Sequence, residues 1–372
     1  MKKTEARTGA ILTIDLKALV DNWRLLRDRV APRQCAAVVK ADAYGLGMNR
    51  VAQALWNAGC KVFFVAQIEE ATTLRKRLRE AEIHVLNGLL EGTESDFLAQ
   101  NLIPVLNDIH QIRAWTQFCG QTPRPCDIHL DTGMSRLGLS PEETEQLIAD
   151  TDLCQALAPS LIMSHLACAD SPNHKMNSGQ LEEFTTLRQR LDAAGLRAPG
   201  SIANSSGIFL GADYHFDLAR PGVAIYGVNP TPDNPNPMAQ VVRLQAKILQ
   251  VRTIDTPRAV GYGATHRVWG PSRIATVGVG YADGFLRTIS NRGRAFIKDH
   301  RAPVVGRISM DLTTLDVTAV PEQLTQPGCM VDLIGPHSTV DDVAQAAGTI
   351  GYEILTGLGN RFLRVYSNGP GA

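Results

Sequence analysis

The sequence has no excess charge of either sign and no long apolar run near its start. Lysine plus arginine and aspartate plus glutamate number 37 each in 372 residues, so neither a basic surface for nucleic acid nor a polybasic membrane patch is expected. The apolar run before Asp15 is too short for a signal peptide or a membrane span. We therefore expect a small-molecule partner, no nucleic acid, no membrane, and a cytoplasmic location.

The sequence also lacks closely paired cysteines. Its seven cysteines are spread from Cys35 to Cys329 without a Cys-x-x-Cys pair. An odd number with this spacing is more typical of reduced thiols than of a disulfide framework or a zinc site. The spacing of His165, Cys168, Asp170 and His174 matches no standard metal site either. We expect no metal.

What the sequence does contain is a repeat of short apolar strands separated by helical, charged segments. After the apolar run that ends at Lys40, strands are predicted at residues 62–66, 83–86, 103–106, 127–130, 161–165, 201–203 and 216–218. Strands that alternate with helices pair in parallel, and about eight such units fit the size of a (β/α)8 barrel. The predicted fold class is therefore α/β, a TIM-type (β/α)8 barrel, with a doubly wound open sheet as the alternative.

The pattern changes at a proline-rich, polar stretch, residues 229–237. Beyond it, short strands with turn residues between them are predicted at residues 241–254, 274–279, 294–297, 304–307, 314–317, 331–334 and 362–366. One helix is predicted, at residues 340–347. The predicted domains are the barrel, residues 1–237, and a mainly β domain, residues 238–372.

Polar and ionisable residues recur at the carboxyl ends of the predicted barrel strands, where barrel enzymes carry their catalytic groups. These residues are Lys40, Asp131, Arg136, His165, Asn204, Ser205 and Arg220. Each has an ordinary structural interpretation, but chance would scatter such residues over both rims of the barrel. Their common position predicts an active site at the carboxyl rim.

Lys40 ends the buried run of residues 35–39. Burial at a strand end lowers the pKa of a lysine and makes the neutral amine available for Schiff-base chemistry. By position alone, a lysine whose ammonium reaches water is at least as good an interpretation.

Ser205, Arg220, Gly222 and Val223 indicate an anion site on the same rim. Ser205 is predicted to begin a helix, whose free N–H groups favour phosphate, and Gly222 lets the backbone come close. A reactive lysine and a phosphate site are the two attachments that pyridoxal phosphate needs. The predicted cofactor is pyridoxal 5′-phosphate.

The chain resembles the alanine racemase family nearly from end to end. The matching motifs, in order, are residues 39–47, 131–138, 164–167, 203–205, 220–222, 261–263, 280–284, 309–311 and 351–353. The resemblance implies a pyridoxal-phosphate-dependent isomerase that interconverts L-alanine and D-alanine. It also implies a homodimer with shared active sites, which supplies D-alanine for peptidoglycan synthesis or feeds D-alanine catabolism.

The resemblance assigns catalytic roles to Lys40 and Tyr262 and cofactor-binding roles to Arg220 and His165. Lys40 would hold the cofactor as an internal aldimine and act as one acid/base, and Tyr262 of a second subunit would act as the other. Arg220 would hydrogen-bond the pyridine nitrogen, and because arginine cannot accept a proton it would keep that nitrogen unprotonated. His165 would lie near the ring and orient Arg220.

The resemblance also implies binding residues. Arg136 would contact the substrate carboxylate with its guanidinium fork, while Tyr281 and Met310 would narrow the entrance and favour a small side chain. The implied phosphate contacts, with Asn204 in support, are Tyr44, Ser205, Gly222, Val223 and Tyr352.

One position departs from the family pattern. Many members carry a carbamylated lysine seven residues before the arginine that corresponds to Arg136, and this chain has His129 there. A carbamate cannot form at His129. Another group must position Arg136, and a bound anion and His129 itself are the candidates.

Three other functions remain open. One is a racemase of broader amino-acid specificity, and another is a related barrel-type amino-acid decarboxylase, which should carry a C-terminal catalytic cysteine in a context that Cys329 lacks. The third, a non-enzymatic pyridoxal-phosphate-binding protein, would need neither Tyr262 nor the residues after Pro237.

Overall fold

The computed structural model describes residues 6–369 and begins with β1 (Ala10–Asp15) and α1 (Leu16–Val30). The Asp15 carboxylate accepts hydrogen bonds from the backbone N–H groups of Lys17 and Ala18, which satisfies two donors at the start of α1. The buried face of α1 includes Leu19, Trp23, Leu26 and Val30, at helical spacing. Helix α1 thus packs one apolar stripe onto the molecule's core.

Parallel strands that alternate with helices form the next part of the chain. The strands are β2 (Gln34–Cys35), β3 (Ala37–Val38), β4 (Val62–Val65), β5 (Glu82–Val85), β6 (Ile103–Leu106), β7 (Pro125–His129), β8 (Ala158–Met163), β9 (Gly200–Ser201) and β10 (Leu218–Ala219). The helices are α2 (Met48–Asn57), α3 (Ile68–Arg77), α4 (Glu94–Ala99), α5 (Ile109–Cys119), α6 (Pro141–Ala149), α7 (Thr151–Ala156) and α8 (Lys175–Ala193). All four residues of β4 are buried, as expected for a parallel strand covered on both faces.

The sheet closes on itself. Strands β3 to β9 pair in order as seven neighbours, and β10 pairs in parallel with β2, which continues into β3. The gap between β9 and β10 is bridged by the Arg220 N–H, which donates to the Ala203 carbonyl at 2.9 Å, and by the Asp217 N–H, which donates to the Gly200 carbonyl at 3.0 Å. The predicted (β/α)8 barrel is confirmed, and the open-sheet alternative is wrong.

The remaining elements form a mainly β region. They are β11 (Val242–Ile254), β12 (Arg258–Val260), β13 (His266–Val268), β14 (Ser272–Val277), β15 (Arg294–Ile297), β16 (His300–Pro303), β17 (Thr313–Asp316), β18 (Met330–Ile334), α9 (Val340–Ala347), α10 (Gly351–Gly357) and β19 (Leu363–Ser367). Strand β1 also belongs to this sheet, since it pairs antiparallel with β11 and parallel with β19. The division of the chain after residue 237 stays a prediction.

Three details of the β region differ from the sequence prediction. The strand predicted at residues 304–307 is wrong, because Gly306 has φ +72° and Val304 makes only an isolated bridge to Leu315. The hairpin of β12 and β13 was not predicted, and a second helix, α10, follows α9. Short elements of this kind carry too few periodic residues to be recognised from the sequence.

All seven cysteines are free thiols, in agreement with the expected reduced state. Across residues 6–369, no helix combines the length and the hydropathy that crossing a membrane requires.

Candidate active site

Lys40 begins a left-handed turn directly after β3. Residues 41–44 all have φ between 52° and 55°, although none of them is a glycine. This conformation costs about 1–2 kcal/mol per residue for L-amino acids, so other contacts must hold it. The Glu70 carboxylate accepts from the Ala41 N–H at 2.6 Å, and the Asp42 carboxylate accepts from the Met48 N–H at 2.7 Å. Strained backbone that is held in this way occurs mainly at functional sites.

The Lys40 side chain is half-buried. Burial, and then the positive charge of Arg136, lower the pKa of Lys40, while Glu70 opposes the change. The direction is the one expected from the sequence, and it favours the neutral amine.

Tyr44, Ser205 and Gly222 meet at one place on the carboxyl rim. The Ser205 hydroxyl oxygen accepts from the Gly222 N–H at 2.9 Å and from the Ala224 N–H at 3.2 Å. A Cβ at position 222 would lie 2.2 Å from the Tyr44 hydroxyl, so only glycine permits this approach. The ring of Tyr44 lies 6.1 Å from that of Tyr352. The structure therefore brings together four of the implied phosphate contacts, and Val223, the fifth, follows Gly222 and is buried.

Ser205 does not begin an α-helix, contrary to the sequence prediction. The segment forms only a three-residue 3-10 turn, Gly207–Phe209. Asn204 stabilises the turn, because its Oδ1 accepts from the Gly207 N–H at 2.9 Å. An anion here would be held by hydroxyl groups and not by a helix terminus.

The residues of this rim fit a phosphate-bearing aldehyde cofactor. An amine with a lowered pKa lies at one position. The hydroxyls of Tyr44 and Ser205 lie near Gly222, where the missing side chain leaves room, and the ring of Tyr352 lies beside that of Tyr44. His165, Asn204 and Tyr352 also line a cavity of about 760 Å³. Within residues 6–369, no group of three or more His, Cys, Asp or Glu side chains is placed to hold a metal ion.

Arg220 is buried at the same rim. Its guanidinium donates to the Ser201 hydroxyl and, at 2.6 Å, to the Ser164 carbonyl oxygen. Burial lowers the pKa of Arg220 to about 10, and the charge of Asp127 opposes that fall. Burial and then Arg220 lower the pKa of His165 well below its usual value. In the part of the chain that the structure describes, no hydrogen bond joins His165 to Arg220, so its orienting role stays a prediction.

His129 is buried and neutral. Its Nδ1 lies 2.7 Å from Asn107 Oδ1, which can only accept, so Nδ1 carries the hydrogen and Nε2 is left as an acceptor. Burial and then the charge of Arg220 lower the pKa of His129 to about 4. Arg136 itself is exposed, and no hydrogen bond joins it to His129 within residues 6–369.

The loop that carries Arg136 is shaped by Asp131. One oxygen of the Asp131 carboxylate accepts from three successive N–H groups, those of residues 133–135, at 2.9, 2.9 and 3.1 Å. This is the local bonding by which aspartate stabilises turns.

Tyr262, Tyr281 and Met310 lie in the β region, and their side chains are 71%, 40% and 54% exposed. The Ala282 N–H donates to the Met310 carbonyl at 2.9 Å, so the segments of Tyr281 and Met310 are adjacent. Tyr262 lies between β12 and β13. No hydrogen bond or ring contact between Tyr262 and Lys40 is formed within residues 6–369.

Sequence analysis missed several residues that position this site. They are Glu70, Asn107, Ser164 and Ser201. Glu70 had a recognisable signal, because Gln67 and Glu70 have the spacing of a capping box. The others are small polar residues in or beside strands, and only the folded chain identifies their partners.

Known proteins resemble this chain over nearly all of its length. A family model described as alanine racemase, N-terminal domain, matches residues 14–230, and one described as alanine racemase, C-terminal domain, matches residues 241–366. An alanine racemase of Rhodospirillum rubrum is 53% identical over 366 residues, which cover 97% of this chain and 97% of that protein.

Two further relatives carry more specific descriptions. A protein of Mesorhizobium japonicum described as a catabolic alanine racemase is 48% identical over 369 residues, which cover 98% of this chain and 95% of that protein. The crystal structure of alanine racemase from Bartonella henselae with covalently bound pyridoxal phosphate is 43% identical. It has a TM-score of 0.91 and covers 96% of this chain and 99% of that one.

Proposed function

We propose, because the chain belongs to the alanine racemase family, that it interconverts L-alanine and D-alanine with pyridoxal 5′-phosphate bound at Lys40. The observation that carries the proposal is the environment of Lys40. Its amine has a lowered pKa at the same barrel rim as the hydroxyl-lined pocket at Gly222.

Each end of the cofactor would have its own set of residues. Lys40 would hold the aldehyde carbon, and Tyr44, Ser205, Gly222, Val223 and Tyr352 would hold the phosphate, with Asn204 supporting the turn. Arg220 would donate a hydrogen bond to the ring nitrogen. The bound cofactor would supply an electron sink that makes the α-proton of alanine removable.

Two bases on opposite faces of the α-carbon would move the proton. Lys40 Nζ would remove or return it on one face, and the Tyr262 hydroxyl would do so on the other. Tyr262 would come from a second copy of the chain, since its side chain is 71% exposed and forms no hydrogen bond with Lys40 within residues 6–369. We therefore propose a homodimer in which each site uses both chains.

Arg136 would bind the carboxylate of alanine and fix its orientation. With His129 in place of a lysine, the proposed support for Arg136 is Nε2 of His129, which has no hydrogen-bond partner within residues 6–369. The tautomer of His129 is set by Asn107. Tyr281 and Met310 would limit the size of the substrate side chain. The same reaction would serve either D-alanine supply for peptidoglycan or D-alanine catabolism. Deletion of the gene separates these roles, because D-alanine auxotrophy would indicate the supply role.

The proposal is tested by incubating the purified holoenzyme with L-alanine in deuterium oxide. We expect α-deuteration and a loss of optical rotation that proceed together. Absence of both would contradict racemisation. Steady-state rates with serine and larger amino acids would test the broader-specificity alternative, and carbon dioxide release would indicate a decarboxylase.

A further inference from the structure

The interior of the barrel carries a chain of charged side chains for which the proposed reaction has no role. His84 of β5 and Asp127 of β7 are 1% and 0% exposed. Such burial of ionisable groups is costly unless they are paired. These two therefore form an arrangement that needs an explanation.

Both ring nitrogens of His84 face carboxylates. Nδ1 lies 2.5 Å from Asp127 Oδ2, and Nε2 lies 2.9 Å from Glu82 Oε1. Ionised carboxylates only accept, so His84 can satisfy both contacts only as a doubly protonated imidazolium. Burial opposes this charge, but Asp127 and Glu82 together raise the pKa of His84 to about 9.

Asp127 is not fully satisfied by His84. Its second oxygen, Oδ1, is buried and has no hydrogen-bond partner in residues 6–369. A buried carboxylate oxygen without a hydrogen-bond partner carries negative charge, which can attract a second cation in the low-dielectric interior.

Arg220 is a buried cation that lacks a carboxylate partner within residues 6–369. It is 4% exposed, its donors go to Ser201 and Ser164, and no carboxylate in the described chain forms an ion pair with it. Its guanidinium carbon lies 5.9 Å from the ring centre of Phe64, and His84 stacks on the same ring at 4.4 Å. His129 and His165, its titratable neighbours, are neutral, because burial lowers their pKa values. The charge of Asp127 opposes the lowering of the Arg220 pKa by burial.

We propose that Asp127, held in place by His84, is the positioning counter-ion of Arg220 and keeps the guanidinium charged and directed at the cofactor site. The inference rests on the proposed function only in the role given to Arg220. Asp127 touches neither substrate nor cofactor in this scheme, so it is a positioning residue.

The same cluster offers a matched control. Glu82 also accepts from His84 and also carries one negative charge, but its side chain is 52% exposed. Glu82 and His84 line a cavity of about 730 Å³ formed by the amino-terminal ends of the barrel strands. Glu82→Gln therefore makes the same chemical change as Asp127→Asn, but at the exposed carboxylate of the cluster, whose charge is already screened by solvent.

The experiment uses purified holoenzymes. Asp127→Asn and Glu82→Gln are each made alone and in combination with Arg220→Gln. The rate kcat is expressed per cofactor-loaded site. We expect Asp127→Asn to lower kcat by about tenfold when Arg220 is present. In the Arg220→Gln protein the same substitution should lower kcat by less than about twofold, because Asp127 acts through Arg220. KM for alanine should stay nearly constant, because Arg136 binds its carboxylate.

A second measurement does not depend on turnover. Asp127→Asn should move the pH midpoint of the bound cofactor's visible absorbance downward by about one unit, because a negative charge is lost from the site. Glu82→Gln should leave both measurements almost unchanged. Equal effects of the two substitutions, or an undiminished effect of Asp127→Asn beside Arg220→Gln, would overturn the proposal.

If Asp127→Asn does not give a folded holoenzyme, His84→Gln takes its place. Glutamine still donates to Asp127 but holds it less firmly, so we expect kcat to fall by about threefold. The absorbance midpoint should move upward, opposite to its movement in Asp127→Asn, because a positive charge is lost from the site. No change in either measurement would refute the inference. A natural holoenzyme that does not racemise alanine would refute the proposed function instead, and the absorbance midpoints would still test the role of Asp127.

Discussion

The barrel rim and the β region both contribute residues to the proposed site, but the rim residues are buried and the residues of the β region are exposed. At the rim, Tyr44, Ser205 and Arg220 are buried, and Ser205 and Arg220 hydrogen-bond to their own chain. In the β region, the side chains of Tyr262 and Met310 point into solvent.

The difference shows which half of the site a single chain can build. Residues that would hold the cofactor are fixed by the chain's own contacts, which reduces the cost of ordering them on binding. The exposed residues of the β region lack a surface to pack on, and exposed large apolar groups of this kind mark interaction sites. We therefore expect cofactor binding to be a property of one chain, and racemisation to be a property of two.

Replacement of Lys40 should have the largest effect. Lys40→Ala should abolish the visible absorbance of the bound cofactor and lower racemisation by about 10,000-fold or more, since both an attachment point and a base are lost. The matched control is Lys61→Ala. Lys61 is exposed and lies 3.6 Å from the ring centre of Trp56, so its removal should leave absorbance and rate intact. An unchanged spectrum in Lys40→Ala would mean that another lysine is used.

Tyr262→Phe should separate the two regions. The rate should fall by about 1,000-fold, in the range of general acid–base catalysis. Cofactor absorbance should be preserved, because the Tyr262 hydroxyl has no role in the rim. The comparison would fail if the spectrum changed as much as the rate.

The shared site predicts complementation between these two inactive variants. When Lys40→Ala and Tyr262→Phe subunits are mixed in equal amounts and exchange freely, half the dimers are mixed and each has one intact site. Activity should recover to about a quarter of the natural value for a two-fold dimer. Persistent inactivity, despite mixed dimers shown by mass spectrometry, would place Lys40 and Tyr262 in separate sites.

His84, which is buried in the barrel, should control the pH dependence of the free energy of unfolding. The pKa of His84 is raised from 6.5 to about 9, so its contribution is complete below pH 6.5 and is lost as the pH rises through 9. The size is about 3 kcal/mol. Urea denaturation between pH 6 and 10 should show this fall in the natural protein and not in His84→Gln.

The control for His84 lies in the β region. His337 also contacts an aspartate, Asp299, at 3.0 Å, but the two side chains are 46% and 89% exposed. Exposed pairs contribute about 0–1 kcal/mol, so His337→Gln should follow the natural pH curve. If His84→Gln followed it as well, the buried cluster would not be the source.

The rim residues could be predicted because the carboxyl ends of parallel strands converge in a barrel. Lys40, His165 and Arg220 each follow an apolar run, and that position was visible in the sequence. The left-handed turn after Lys40 was not, because Ala41, Asp42 and Ala43 have no intrinsic preference for positive φ. Contacts from Glu70, 29 positions away, help to hold it.

Pairings between distant segments were also beyond sequence reasoning. The range predicted for the barrel, residues 1–237, includes strand β1, but the partners of β1 are β11 and β19. His84 and Asp127 are 43 positions apart. His84 lies between Ile83 and Val85, and Asp127 lies between Cys126 and Ile128. In a linear sequence such residues look like isolated exceptions, and the partner of each is known only once the strands are arranged.

Glycine substitutions give the smallest and most local test of the two regions. Gly222→Ala would place a Cβ 2.2 Å from the Tyr44 hydroxyl, and overpacking of this kind costs about 1–3 kcal/mol. Cofactor affinity should therefore fall by about tenfold or more, measured by fluorescence titration of the apoprotein. The control is Gly270→Ala in the β region, where nothing lies within 4 Å of the added Cβ. That change should stay within about 0.5 kcal/mol. Equal affinities in the two variants would show that the space above Gly222 is not where the phosphate binds.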